Sequence, residues 1–69
     1  MAKFTKFKLI RLLSGYTQDE LARKIGVTTG SVSQWETGKT HPSIKKLKKL
    51  SEILNVPVED IITSDEKAG

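Results

Sequence analysis

The 69-residue sequence predicts an all-α fold, a compact bundle of five helices. Three observations point there. Ile44, Leu47, Leu50 and Leu54 recur at spacings of three and four, which puts apolar side chains on one helical face. Hydroxyl residues stand just before such segments, and Gly or Asn just after them, as helix starts and stops require. From Gln18 to Thr37, QDELARKIGVTTGSVSQWET, the chain reads as two short helices joined by a tight turn.

Each element follows from local signals. The first helix is expected from about Lys3 to Leu13, with Phe7 and Ile10 one turn apart and Gly15 ending it. Thr17 caps the second, and Glu20 three residues later completes a capping box. Its apolar face is Leu21, Ala22 and Ile25. Gly26 ends this helix in the left-handed conformation. Thr28 caps a third helix that runs to about Glu36, where Gly38 stops it by the same device. Lys39 to Pro42 is a loop, and Ser43 caps the fourth helix, which Asn55 ends. Pro57 opens a short fifth helix expected to bury Val58, Ile61 and Ile62. Residues 63–69 are polar and expected to fray. We read residues 1–69 as a single domain with its core at about 7–62, without repeats or an internal linker.

Composition narrows the function. A chain of this size buries only about 60% of the surface its unfolded form exposes, which leaves little room for a catalytic cleft. It has no cysteine, so neither a disulfide nor a zinc-finger cluster holds it together, and a reducing cytoplasm suits it. No segment approaches the ~18 apolar residues of a membrane span, and the run Leu9 to Leu13 is too short for a secretory signal. One His, no Cys and glycines too far apart for a phosphate loop argue against an enzyme; no cofactor is implied. The net charge is +4, unevenly spread. Residues 1–49 carry 11 Lys/Arg and 3 acids, whereas residues 50–69 carry 1 Lys and 5 acids. A basic body with an acidic end suits a polyanion held on one side.

The spacing within Gln18–Thr37 sharpens this. Counting Gln18 as one, Ala22 falls fifth and Gly26 ninth, and Leu21, Ile25, Val27, Val32 and Trp35 fall at four, eight, ten, fifteen and eighteen. A helix-turn-helix needs this pattern. The small Ala22 admits the second helix, and the five apolar side chains anchor both. The outer face of the second is thereby left free for a DNA major groove.

With Arg11 four residues before Gly15, then TQDELARKIGV, SVSQWETGK, HPS and LKKLSEILNVPVEDII in order, the chain resembles the lambda-repressor-like helix-turn-helix family, of the Cro/cI or Xre type. The resemblance covers roughly Phe7 to Ile62. It implies a five-helix DNA-binding domain that binds operator double-stranded DNA, usually as a symmetric homodimer, and regulates transcription in a prokaryote or phage. By the same resemblance the start of the third helix enters the major groove, with Thr28, Thr29, Gly30, Ser33 and Gln34 as candidate base contacts. Gln34 suits adenine N6/N7, and Thr29 can hydrogen-bond or lay its methyl against thymine. The Thr28 hydroxyl is expected to serve the cap instead. Gly30 departs from the longer polar residue of many relatives. Either the backbone approaches DNA there or the position carries no information, and DNA shape then takes a larger share of specificity. The resemblance makes Gln18, Thr37, Lys39, Ser43 and Lys46 candidate phosphate contacts, and Arg11 with Glu36 a partly buried ion pair that orients the recognition helix.

Other conspicuous residues have structural readings. Trp35 falls in the apolar set and is expected in the core rather than stacked on a base. His41 has no partner at metal-ligand spacing, so no metal site is expected. Lys45, Lys46, Lys48 and Lys49 line the polar side of the fourth helix, and the first two are nearest Ser43 and within reach of a phosphate. Leu9, Leu12 and Leu13 exceed what one buried face needs; they cover Tyr16 and the chain ends or form a partner-binding patch. Two function classes stay open. One is a DNA-binding transcriptional regulator, most simply a repressor. The other is an antitoxin or antirepressor partner, a protein-interaction module on the same fold.

Overall fold

The computed structural model describes residues 5–61. Five helices make up its regular structure: α1 Lys6–Leu13, α2 Gln18–Ile25, α3 Thr29–Thr37, α4 Ile44–Leu54 and α5 Val58–Ile61. No strand occurs among the described residues.

Side-chain caps fix four of the five starts. Thr5, Thr17, Thr28 and Ser43 have extended backbone, and their hydroxyls accept from the amides of Lys8, Glu20, Ser31 and Lys46. Each bond satisfies one amide that the first helical turn leaves without a partner. At Thr17 the Glu20 carboxylate also accepts from the Thr17 amide at 3.0 Å, closing the capping box. The stops are left-handed: Gly26 at φ 90°, Gly38 at φ 81° and Asn55 at φ 60°. The start of α1 differs from expectation. Thr5, at φ −72° and ψ 158°, ends helical geometry on its N-terminal side, so the helix begins at Lys6 rather than Lys3. Lys3 itself lies outside the described residues, as do Ile62 and the 63–69 segment.

Phe7, Leu21, Ala22, Ile25, Val32, Trp35, Leu50, Leu54 and Ile61 form the buried core. Phe7 and Trp35 meet as a tilted aromatic pair with ring centroids 6.3 Å apart. Ile10, Tyr16, Val27 and Leu47 pack against this core half-buried. α2 lies against α3 and α4, while α1 lies against α3 and α5. The α4 stripe is shorter than its periodicity predicts. Ile44 is 74% exposed, and burial along the apolar stripe begins with Leu47 and deepens at Leu50 and Leu54. On α1, Leu9, Leu12 and Leu13 are exposed, Leu13 most of all.

Candidate nucleic-acid interface

The interface is built outward from α3. Val32 is fully buried and Trp35 nearly so, and these two side chains pin one face of the helix to the core. Residues three and four apart share a helical face, so Thr29, Gly30, Ser33 and Gln34 lie together on another. Thr28, Thr29, Gly30 and Gln34 are exposed, whereas Ser33 is half-buried. The helix therefore presents a short polar surface made largely of small side chains.

A buried polar clamp joins α3 to its neighbours. Arg11 and Glu36 are both almost fully buried and form an ion pair through Nε and Oε2. Arg11 Nη2 donates to Glu36 Oε1 at 3.3 Å, and Nη1 donates to the Tyr16 carbonyl at 2.7 Å. Gln18 Nε2 donates to the same Glu36 Oε1 at 2.9 Å. One carboxylate thus ties α3 to α1 and to the first residue of α2, and the guanidinium also holds the α1–α2 turn. No buried side-chain polar atom among the described residues lacks a partner. That completeness matters, because an unpaired charge here would cost several kcal/mol.

The exposed face is also organised. Thr28 accepts from the Ser31 amide as cap and donates its proton to Ser31 Oγ at 3.2 Å. Thr29 Oγ1 donates to Asp19 Oδ1 at 3.1 Å, and Asp19 Oδ2 pairs with Arg23 Nη2 at 3.2 Å. A Cβ added at Gly30 would meet only Thr28 Oγ1, at 3.8 Å, so nothing within the fold requires glycine there. Gln34 Oε1 accepts a long 3.5 Å bond from Thr40 Oγ1, weak enough to yield to a better partner.

The candidate phosphate contacts fall on the adjoining segments. Gln18 is half-buried and engaged with Glu36 through Nε2. The Thr37 hydroxyl donates to the Gln34 carbonyl at 3.2 Å. Lys39 is exposed in the loop after α3. Ser43 is exposed and serves as the α4 cap, with its hydroxyl accepting from the amide of the half-buried Lys46 at 3.2 Å. His41 is exposed, and no cluster suited to a metal ion occurs among the described residues. No helix there is long and apolar enough to cross a membrane.

Two relationships escape inspection of the sequence. The bond of Gln18 to Glu36 joins residues 18 apart, and that of Thr29 to Asp19 joins residues 10 apart. Only the Asp19–Arg23 spacing of four gives a local sign of the second.

Known proteins resemble this chain in sequence and in fold. A family model described as helix-turn-helix, of the Cro/C1 type, matches residues 7–61. An uncharacterized HTH-type transcriptional regulator of Archaeoglobus fulgidus is 36% identical over 63 residues, covering 91% of this chain and 89% of its own length. The HTH-type transcriptional activator BcrR of Enterococcus faecalis is 30% identical over 61 residues, covering 88% of this chain but 30% of its own length. Among solved structures, a hypothetical transcription factor from Neisseria superposes with a TM-score of 0.73 at 20% identity, covering 99% of this chain and 89% of the other. That last likeness is one of fold. The motif, its burial pattern and these relatives agree: the chain belongs to the Cro/C1-type helix-turn-helix family of transcriptional regulators, DNA-binding proteins rather than enzymes.

Proposed function

We propose that this protein binds a specific double-stranded operator as a homodimer, with α3 of each copy in a major groove, and represses transcription by occupying the promoter. One observation carries the reading. Val32, Trp35 and the Glu36 clamp hold the inner side of α3, while Thr28, Thr29, Gly30 and Gln34 face solvent. The exposed Gln34 is the strongest candidate base reader, through its paired donor and acceptor, and Ser33 lies beside it. Gln18, Thr37, Lys39, Ser43 and Lys46 are the proposed phosphate contacts. Gln18 keeps its side-chain carbonyl and a second N–H beyond the bond to Glu36. Two copies would place their recognition helices about 34 Å apart on an inverted repeat. Occlusion of a promoter needs no contact beyond the DNA face itself, whereas activation needs a further surface for polymerase. The DNA of a prokaryote places such a regulator in the cytoplasm.

Selection of bound duplexes from a random pool at low salt tests this. The expected winners share an inverted repeat, Gln34→Ala relaxes one position in each half-site, and Lys39→Ala weakens binding to all sequences alike. A promoter carrying the selected site is expected to lose output when the protein is expressed. No retained DNA at low salt would overturn the reading and leave a protein-interaction module in its place.

A further inference from the structure

We propose that Asp19, on α2, sets the base preference of Thr29, on α3. The inference rests on the major-groove reading above and adds a specificity-positioning residue to it. A carboxylate only accepts, so in the 3.1 Å bond the Thr29 hydroxyl must be the donor. Its single proton is thereby directed at Asp19 and away from the duplex. What Thr29 then offers is an acceptor oxygen and a methyl group. In the major groove, adenine N6 and cytosine N4 present donors, while guanine presents only the acceptors N7 and O6. Thr29 held by Asp19 therefore favours a donor edge and rejects guanine. An unheld threonine can rotate its proton outward and accept either.

The carboxylate has a second partner. Its second oxygen pairs with Arg23 Nη2 at 3.2 Å, one helical turn along α2. Arg23 also offsets a negative charge that would otherwise stand unaccompanied beside a polyanion. All three side chains are exposed, so changing them leaves the core intact.

The test repeats the selection with the full chain as wild type, Asp19→Ala, Asp19→Asn, Thr29→Val and the Asp19→Ala/Thr29→Val double variant. Thermal unfolding of each variant reports that it folds. Asp19→Ala is expected to relax the exclusion of guanine at one position of each half-site by about fivefold, the worth of one hydrogen bond. Asp19→Asn keeps an acceptor oxygen while losing the charge; it should raise affinity for all sequences and preserve the preference. In the Thr29→Val background, Asp19→Ala should change nothing at that position. The inference is overturned if Asp19→Ala selects the same sites as wild type. It fails equally if the change persists without the Thr29 hydroxyl, or if Asp19→Asn behaves as Asp19→Ala does. Wild-type protein that enriches a site while Asp19→Ala enriches the same one sinks this inference alone. Wild-type protein that enriches nothing sinks the DNA reading and this inference with it.

Discussion

Arg11, Glu36 and Gln18 bring three helices together at one carboxylate. The carboxylate of Glu36 is buried and meets a guanidinium on one side and an amide on the other. Such a group gives orientation more reliably than net stability, because desolvation of both charges offsets most of their attraction. Removing one partner is a different matter. Arg11→Met leaves Glu36 with Gln18 alone among its side-chain partners and frees the Tyr16 carbonyl that Arg11 Nη1 holds. We expect a loss of about 3–5 kcal/mol in urea denaturation, a large part of what so small a domain possesses. Full stability accompanied by a drop in DNA affinity would show instead that Arg11 acts on phosphate. The resemblance named the pair from the sequence. The third member, Gln18, depends on the crossing of α2 and α3 and was not legible there.

At the scale of the element, α3 carries two kinds of glycine around it. Gly26, which ends α2, sits at φ 90°, where a Cβ is strained whatever the space around it. Gly30, inside α3, has ordinary helical backbone and open surroundings. Opposite effects follow. Gly26→Ala is expected to lower stability by about 1 kcal/mol or more, and Gly30→Ala to raise it by up to about 1 kcal/mol through helix propensity. Thermal unfolding of the two variants checks the signs, and a fall for Gly30→Ala would mean that its backbone serves the fold in some other way. DNA affinity of Gly30→Ala then separates the two readings of that position. An affinity loss in a more stable protein marks close approach of the duplex, and an unchanged affinity marks a position without information.

Across the whole molecule, the proposed DNA binding is expected to depend strongly on charge. The basic excess lies in residues 1–49 and the acidic excess in residues 50–69, so the chain is polarised along its length. With about 6–10 phosphate contacts in a dimeric complex, affinity should fall ~10³–10⁵-fold between 50 and 200 mM salt. Each phosphate-contacting lysine contributes about one unit to the logarithmic salt slope. A two-fold complex of Lys39→Ala should therefore lose about two units, one from each copy, measured by titrating the selected site across salt concentrations. A loss near one would argue for a single copy on the DNA, and no loss would remove Lys39 from the phosphate set.

Helix number, order and most boundaries follow from the sequence, because caps, left-handed stops and apolar spacing act over a single turn. Thr17 with Glu20, Gly26, Thr28 and Ser43 are visible as residue types at fixed offsets, and they do in the structure what those offsets imply. The polar, outward character of Thr29 and Gln34 follows equally from the burial of Val32 and Trp35 beside them. The tertiary structure alone decided the rest. It left Ile44 uncovered although its spacing matches Leu47, it kept Ile10 half-buried, and it joined Gln18 to Glu36 and Thr29 to Asp19 across helices. Periodicity states which side of a helix is apolar. How far the neighbouring helix extends over that side, and which polar tips meet where two helices cross, depend on crossing geometry that no local pattern contains.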